Sequence, residues 1–439
     1  MKVLMFGWEF PPHISGGLGT ACYGLTKGLA GFKDVSVIFV VPKAYGDEDQ
    51  SNMKLLGANE VPVNRKQIQF SSLESKVEYY EVESGMIPYI DPDEFRKQSA
   101  KDASEKTHFA ETLYDGKIDF SGRYDHNLLQ EIYNYSIVSE AIARDTEFDV
   151  IHSHDWLTYP AGIAAKRVSG KPLIIHVHAT DFDRSGGNVN PQVYAMEKEG
   201  MDAADQIITV SNLTRNMVIE KYFINPEKVT TIYNAVEPVS LEEKIRLKKG
   251  VDEKIVTFLG RITMQKGPEY FVEAANLVLK KMKNVRFVMA GSGDMMNSMI
   301  KRVAELKISD RFHFTGFLKG DDVFDMFKMS DVFVMPSVSE PFGIVPLEAM
   351  QSDVPVIISY QSGVSEILNY AIKIDYWDTH AMADAIFGLL NYPSLHNMFK
   401  KCGKEEVDNL QWKNSAAQVR EIYLQVLKMY SEKSEHILK

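Results

Sequence analysis

Two glutamates lie eight residues apart in the segment Ser339–Met350, which reads Ser-Glu-Pro-Phe-Gly-Ile-Val-Pro-Leu-Glu-Ala-Met. Glu340 falls in a loop after the apolar run Val332–Met335, whereas Glu348 falls in the first turns of an apparent helix. We therefore expect the two carboxylates to occupy different environments. One can contact a sugar, and the other can accept hydrogen bonds from the two hydroxyls of a ribose. Taken alone, the pattern is equally that of a solvated Glu340 and a Glu348 that only complements a helix dipole.

Two cations follow the predicted strand Ile255–Leu259: Arg261 comes directly after Gly260, and Lys266 lies five residues further on. The chain carries 49 basic and 60 acidic residues, a formal net charge of −11. In such an acidic protein, two fixed cations at a strand end suit a departing diphosphate, because they neutralise the charge that grows as its bond breaks. They can take the place of a divalent metal ion. Two solvated surface cations near a helix start remain the alternative interpretation.

Two glycine-containing loops also follow strand-like runs. Ser15-Gly16-Gly17-Leu18-Gly19 precedes the predicted helix Thr20–Leu29, where adjacent glycines let the backbone approach a phosphate at a helix N-terminus. Gly291 and Ser292 belong to the second loop, which reads Met-Ala-Gly-Ser-Gly-Asp and can accommodate a nucleoside. Both loops also have an ordinary turn composition, so neither is specific by itself.

Histidines end two predicted strands of the first half, in His152-Ser153-His154-Asp155-Trp156 and in His176-Val177-His178. The His-Ser-His spacing points alternate side chains along a strand and lacks the separations of structural zinc sites, so no metal site is predicted. A hydrogen-bonding sugar site is the favoured interpretation. In that site, Trp156 could pack against the face of a sugar.

The elements that must position these residues are short β-branched runs separated by helix-length segments, which predict α/β domains with parallel sheets covered on both faces. Two doubly wound domains would place the carboxyl ends of both sheets on a common cleft. The boundary is predicted near Asn234–Val251, with a first domain at 1–240 and a donor-binding domain at 241–410. A terminal helix within 411–439 is expected to pack back on the first domain. The polar stretch of about 46–123 is predicted to be an insertion.

Composition bounds the class of protein. The 439 residues exceed what one hydrophobic core usually supports. Hydrophobic residues at 45% and charged residues at 25% are typical of soluble globular proteins. No apolar run reaches membrane-spanning length and the first residues differ from a secretory signal, so a cytoplasmic location is expected. The negative net charge disfavours nucleic-acid binding, and two distant cysteines predict neither a disulfide nor a zinc site.

Together these motifs resemble the large group of retaining glycosyltransferases with the GT-B architecture, which includes bacterial and archaeal glycogen synthases. The resemblance spans nearly the whole chain. The segment from Glu340 to Glu348, with its Pro-Phe-Gly core, is similar to the E-x7-E signature of this group. The resemblance implies two Rossmann-like domains with an interdomain cleft, a nucleotide-sugar donor and a saccharide acceptor as substrates, and no metal or other cofactor.

The resemblance also implies roles for individual residues. Arg261 and Lys266 match the basic pair that holds the donor diphosphate. Glu340 matches the glutamate at the transferring sugar, and His178 matches a histidine at the same site, so these four residues are the predicted catalytic set. The predicted donor-binding residues are Gly16, Gly17, Gly291, Ser292, Gly343, Ile344, Glu348 and Gly363.

Two further positions concern the substrates. Asp155 and Trp156 fall where glycogen synthases carry an Asp-Trp pair beside the acceptor. Ile14 stands where bacterial ADP-glucose-dependent synthases have a lysine, which leaves UDP-glucose and ADP-glucose both open as donors. The segment ending in Gly122–Asp125 is similar to inserts of glycogen synthases, which favours an α-1,4-glucan acceptor. The alternatives are another hexose moved to a lipid-linked or surface polysaccharide, a sugar-nucleotide epimerase, and a non-catalytic sugar-binding or regulatory protein.

Overall fold

The computed structural model describes residues 1–13, 16–63, 113–114, 116–124, 127–237 and 252–437. Ile14 and most of the predicted insertion therefore lie outside the described residues, and so does most of the segment in which the domain boundary is predicted. The described residues confirm the α/β class and the two doubly wound domains.

The described residues of the first half form a seven-stranded parallel sheet in the order β3-β2-β1-β6-β7-β8-β9, and a separate antiparallel pair, β4-β5. Strands β6 and β7 are buried along their whole length, as expected of apolar runs inside a sheet covered on both faces. The strands are β1 Lys2–Phe6, β2 Ser36–Val41, β3 Lys54–Gly57, β4 Leu113–Tyr114, β5 Lys117–Ile118, β6 Val150–His154, β7 Leu173–Val177, β8 Gln206–Thr209 and β9 Val229–Thr231.

The edge strand β3 lies within the stretch 46–123 that the sequence predicts to be an insertion. It pairs in parallel with β2, in a register that runs from Ile38 opposite Lys54 to Val41 opposite Gly57. An edge strand has only one neighbour and can be short, so its apolar pattern is weak. The predicted start of the insertion at about 46 therefore has to move beyond this strand.

The helices of this domain connect successive strands. Two of them begin at side-chain caps: Asn190 accepts a hydrogen bond from the Gln192 amide, and Ser211 accepts one from the Thr214 amide. The helices are α1 Gly17–Ala30, α2 Leu128–Asp145, α3 Tyr159–Ser169, α4 Asp181–Ser185, α5 Pro191–Ala203 and α6 Asn212–Tyr222.

The second domain contains a six-stranded parallel sheet among its described residues, in the order β12-β11-β10-β13-β14-β15. Its strands are β10 Lys254–Leu259, β11 Val285–Ala290, β12 Phe312–Gly316, β13 Val332–Met335, β14 Val356–Ser359 and β15 Ile372–Ile374. Its helices are α7 Pro268–Lys281, α8 Met296–Glu305, α9 Asp321–Met329, α10 Val345–Gln351, α11 Thr379–Asn391 and α12 Pro393–Val407.

In both sheets the strand order reverses beside the first strand, between β1 and β6 and between β10 and β13. Ligands of doubly wound folds bind at the carboxyl ends of the strands at such a reversal. The fold therefore predicts one candidate ligand-binding position in each domain. Among the described residues, no helix is both long enough and apolar enough to cross a bilayer.

The last helix, α13 (Trp412–Ile437), packs against α1 of the first domain. A Cβ added to Gly24 would lie 2.2 Å from the ring of Trp412, and one added to Gly28 would lie 2.8 Å from the Trp412 carbonyl oxygen. The Arg420 guanidinium also donates to Asp34 at 2.6 Å. The helix therefore follows the second domain in the chain but packs on the first domain.

Replacing Trp412 by alanine tests this attachment. Trp412 is 5% exposed, and its ring packs on Gly24 and Gly28 of α1. These glycines have no side chain that could fill the cavity left when the ring is removed. We expect Trp412→Ala to lower the free energy of unfolding by about 3–5 kcal/mol. The measurement is urea unfolding followed by circular dichroism. Leu424→Ala is the control, because Leu424 is on the same helix but 38% exposed, and it should cost about 0.5 kcal/mol or less. Equal losses for both variants would contradict the packing described.

Candidate active site

Segments at the carboxyl ends of three parallel strands meet between the domains. Asp183, in α4 after β7, accepts a hydrogen bond at 2.6 Å from the hydroxyl of Ser339, in the loop after β13. A Cβ added to Gly186 would lie 2.5 Å from the terminal methyl of Met264, in the turn after β10. The two domains therefore face each other across a cleft lined by strand-end segments.

A second contact between the domains is made by Glu366. Its carboxylate accepts hydrogen bonds from the backbone amides of Asn212 at 2.9 Å and Leu213 at 2.7 Å, at the N-terminus of α6. It also accepts one from the hydroxyl of Tyr233 at 2.9 Å. A carboxylate at a helix N-terminus is favoured by the helix dipole. The second domain thus caps a helix of the first.

The predicted catalytic pair Lys266 and Glu340 is in direct contact. The Lys266 ammonium donates to Glu340 Oε2 at 2.5 Å, and the Ser337 hydroxyl donates to the same oxygen at 3.2 Å. Lys266 ends a short 3-10 turn at Gly267, whose φ of 64° lies in the left-handed region. A Cβ added to Gly267 would lie 2.1 Å from the carbonyl oxygen of Pro336, so glycine is needed for this turn to reach the glutamate loop.

The backbone of Glu340 is fixed by the loop that follows β14. The Glu340 amide donates to the Gln361 carbonyl at 2.9 Å, and the Gly363 amide donates to the Glu340 carbonyl at 2.8 Å. A Cβ added to Gly363 would lie 2.2 Å from the Pro341 carbonyl oxygen and 2.5 Å from Cβ of Ser211 in the first domain. Gly363 therefore permits a close packing of three segments that holds the glutamate in place.

Arg261 lies in a turn that is joined to the predicted nucleoside loop. The Gly260 amide donates to the Ala290 carbonyl at 3.0 Å, and the Ile262 amide donates to the Ser292 carbonyl at 2.8 Å. A Cβ added to Gly291 would lie 1.8 Å from the Gly260 carbonyl oxygen. Gly291 and Ser292 thus shape the turn that carries the arginine.

The side chain of Arg261 contacts a later residue of the same turn. Its guanidinium donates to Gln265 Oε1 at 2.9 Å, and Gln265 is the neighbour of Lys266 in the chain. Both predicted diphosphate cations therefore stand at the end of β10, beside the reversal of strand order.

Glu348 has a different environment from Glu340, as the sequence predicts. It lies in the first turn of α10, and its carboxylate accepts no hydrogen bond from the described residues. Burial raises the pKa of Glu348 to about 7. The turn between the two glutamates passes through Gly343, with a φ of 101°, and Ile344 precedes the helix. A half-buried carboxylate without a protein partner can accept hydrogen bonds from a diol.

The glycine loop of the first domain opens α1. Gly16 precedes the helix and Gly17 begins it, and a Cβ added to Gly17 would meet none of the described atoms within 4 Å. The Gly19 amide, however, donates to the Glu9 carboxylate at 3.1 Å. One amide of this helix start is therefore already satisfied by the protein, and the open space lies at Gly17.

His178 follows β7 and is half-buried. Its Nε2 shares a hydrogen bond with Nδ1 of His154 at 3.0 Å. Burial, reinforced by the nearby Arg184 guanidinium, lowers the pKa of His178 to about 3, so its ring is neutral. His152 and His154 lie two residues apart on β6 and therefore share one face of the strand, with ring centroids 4.2 Å apart.

The predicted acceptor pair requires a correction. Trp156 is 4% exposed and packs in the core of the first domain, so its ring is not available to stack on a sugar. Asp155 is also buried, and its carboxylate accepts a hydrogen bond from the Arg184 guanidinium at 2.7 Å. Burial raises the pKa of Asp155, and Arg184 opposes that effect.

Sequence reasoning missed Arg184 and its surroundings. The guanidinium donates to Glu197 as well as to Asp155, and all three side chains are buried. Thr180 and Asp183 form a capping box at the start of α4, which places Asp183 opposite Ser339. The Thr-x-x-Asp spacing, six and three residues before Gly186, was a readable signal of this helix start. The ionic partners of Arg184 had no such local signal.

Two family models match adjoining parts of the chain. Residues 240–406 match the model of glycosyl transferases group 1, and residues 107–239 match that of glycosyltransferase family 4. Three relatives illustrate how different the names of similar proteins are. The chain is 28% identical to an uncharacterised glycosyltransferase of Methanocaldococcus jannaschii, over 98% of this chain and 99% of that protein. It is 29% identical to alpha-maltose-1-phosphate synthase of Mycolicibacterium smegmatis, over 63% and 79%. It is 22% identical to glycogen synthase of Mycobacterium tuberculosis, over 97% and 94%.

Solved structures agree on the fold. Sucrose-phosphate synthase from Thermosynechococcus elongatus superimposes with a TM-score of 0.68 at 18% identity, covering 98% of this chain and 99% of that one. The two Rossmann-like sheets and the cleft between them give the chain the GT-B fold. Its second half is similar to glycosyl transferases group 1, and part of its first half is similar to glycosyltransferase family 4.

Proposed function

We propose that this chain is a glycosyltransferase that moves glucose, with retention of configuration, from UDP-glucose or ADP-glucose to the end of an α-1,4-glucan in the cytoplasm. The observation that carries the proposal is the Lys266–Glu340 contact at 2.5 Å, held beside Arg261 where the strand order of the second sheet reverses. Ligands of doubly wound folds bind at the carboxyl ends of the strands at such a reversal, so two cations and a carboxylate gathered there support a nucleotide-sugar site.

The cations supply the charge that the departing diphosphate needs. Lys266 has three N–H donors, so it can contact Glu340 and a phosphate oxygen together. Arg261 presents a planar set of donors that suits two phosphate oxygens. Preorganised cations in a cleft that excludes water stabilise the charge that grows on a leaving group. The proposal therefore assigns this role to the protein and requires no metal ion for transfer.

Retention can arise by double displacement or by transfer on one face of the sugar, and the pairing of the carboxylates near the cleft supports the second route. Asp155 is paired with Arg184, Asp183 with Thr180 and Ser339, and Glu340 with Lys266. A double displacement would need one of them to attack the anomeric carbon. We infer that the departing diphosphate instead helps to deprotonate the acceptor on the same face of the sugar. Neutral His178 would hydrogen-bond a sugar hydroxyl, and Glu340 would bind the hexose.

Glu348 and the backbone loops complete the donor site in this proposal. Glu348 would accept hydrogen bonds from the ribose hydroxyls, while Gly16 and Gly17 would approach the phosphates from the first domain. Glucose and an α-glucan are favoured because two relatives of the chain are named as a glycogen synthase and an alpha-maltose-1-phosphate synthase.

A donor and acceptor assay tests the proposal. The purified protein is incubated with UDP-, ADP- and GDP-glucose and with UDP-galactose, each with and without glycogen, and nucleotide release is measured. We expect release from UDP- or ADP-glucose that depends on glycogen. Proton magnetic resonance of the product should show an α-linkage, which is retention. Glycogen-independent isomerisation of the donor, or no release with any donor, would contradict the proposal.

Lys266→Ala tests the charge on the leaving group. We expect kcat to fall by roughly 100-fold or more, about 2.7 kcal/mol of transition-state stabilisation, since one preorganised electrostatic donor is lost. Steady-state kinetics with the active donor give the measurement. Lys301→Ala is the matched control, because Lys301 is in the same domain with a side chain that is 80% exposed. Unchanged turnover for Lys266→Ala would remove Lys266 from the mechanism.

The pKa of Glu348 predicts how donor affinity depends on pH. Because burial raises this pKa to about 7, the carboxylate is ionised above that pH and protonated below it. Protonation removes its charge and an acceptor site, so KM for the donor should rise as pH falls from about 8 to about 6, by up to roughly tenfold. Glu348→Gln should show a high KM that no longer changes over this range.

The control for this titration is Glu305→Gln, since Glu305 is half exposed on α8. That variant should keep the pH dependence of the wild-type enzyme. If KM for the donor depends on pH in Glu348→Gln as it does in the wild-type enzyme, a group other than Glu348 titrates.

A further inference from the structure

Three histidine rings lie side by side in the interior of the first domain. His152 and His154 are on β6, and His176 is opposite His154 on β7. Their exposed fractions are 0%, 0% and 3%. The ring centroid of His154 lies 4.2 Å from that of His152 and 5.2 Å from that of His176. A sheet interior at this depth is normally filled by apolar side chains, so three imidazoles together need a physical reason.

Several nitrogens of these rings have no hydrogen-bond partner among the described residues. They are Nε2 of His152, Nε2 of His154 and both ring nitrogens of His176. A buried polar atom that has lost its hydrogen bonds to water and gained no other partner costs free energy. Native proteins therefore pair most such atoms. A bound ion or water would account for such a set.

The remaining nitrogens are oriented by neighbouring groups. His152 Nδ1 shares a hydrogen bond with the Tyr423 hydroxyl at 2.6 Å, and His154 Nδ1 shares one with His178 at 3.0 Å. These contacts fix the two rings so that each Nε2 remains for another partner. Histidines that bind metals have this arrangement, with one nitrogen on the ion and the other on an orienting group.

The geometry and the protonation state both suit an ion. One nitrogen from each ring can be chosen so that all three lie within 4.8 Å of one another. Tetrahedral zinc has Zn–N distances of about 2.0–2.1 Å, so its ligand nitrogens are roughly 3.4 Å apart. Small rotations of the rings would close that difference. Burial, followed by the neighbouring imidazoles, lowers the pKa of all three rings, which keeps them in the neutral form that coordinates metals.

We propose that His152, His154 and His176 bind one divalent transition-metal ion of the zinc class, with a structural role. Imidazole ligands suit zinc and its neighbours rather than magnesium or calcium. The ion would join β6 to β7 and, through Tyr423, hold the terminal helix α13 on the same domain. The proposed ligands lie in the first domain, whereas Lys266 and Arg261 lie in the second, and His154 contacts His178 of the proposed sugar site. Metal content and turnover are measured separately, so either proposal can fail without the other.

Metal analysis of the full-length protein tests the site. The protein is saturated with Zn²⁺, desalted and analysed by plasma mass spectrometry, and a chelator-stripped sample is titrated with Co²⁺. We expect one ion per chain and the visible absorption of tetrahedral Co²⁺. Removing the ion should lower the melting temperature, and adding Zn²⁺ should restore it. Folded wild-type protein that retains less than about a tenth of an ion per chain under these conditions would overturn the proposal.

Variants locate the ion. His176→Asn should weaken Zn²⁺ binding by roughly 100-fold or more, because a ligand is lost. His380→Ala is the control, since His380 is an exposed histidine, and it should keep one ion per chain. Cys22→Ala should also keep the ion. Cys22 forms a second cluster with His154 and His178, so loss of the ion in Cys22→Ala would place the metal there and refute the three-histidine site. Circular dichroism confirms that each variant is folded, and the wild-type stoichiometry stands even where a variant is not.

Discussion

The contact between Lys266 and Glu340 depends on the close approach of three strand-end segments, and much of the second domain serves that approach. The lysine comes from the turn after β10, the carboxylate from the loop after β13, and the backbone of that loop is held by the segment after β14. Two of the close contacts between these segments are at Gly267 and Gly363, where any Cβ would collide with a backbone carbonyl oxygen. Glycine at these positions is therefore a condition for forming the ion pair.

The same segments also connect the domains. Ser339, next to Glu340, donates to Asp183 of the first domain, and Glu366, three residues after Gly363, caps α6. Residues that hold the Lys266–Glu340 pair are thus within a few positions of residues that touch the first domain. A change in the angle between the domains must alter these hydrogen bonds, which gives domain closure a direct route to the geometry of the site.

The first domain contains several buried polar and charged side chains that lie close together. Arg184 is enclosed between Asp155 and Glu197, and the histidines of β6 and β7 occupy the neighbouring interior. Buried charges of this kind stabilise a fold only when they are paired, and removing one partner is far more costly than the pair is favourable. Arg184 also lies close enough to His178 to lower the pKa of its imidazole.

The sequence by itself determined the parallel α/β architecture and most of the candidate site, because both follow from local patterns. Apolar runs separated by helix-length segments specify parallel strands, and parallel strands gather their carboxyl ends at one edge. That is why Arg261, Lys266 and Glu340 could be expected to meet, and why Glu348 could be placed in a separate environment.

Only the tertiary structure decided which side chains find partners. The membership of β3 in the sheet, the burial of Trp156 and the pairing of Arg184 with Asp155 depend on register and on packing between residues far apart in the chain. The convergence of His152, His154 and His176 depends on the pairing of β6 with β7. No spacing in a sequence states how two strands are aligned, and a single residue of slip would turn these side chains to the other face.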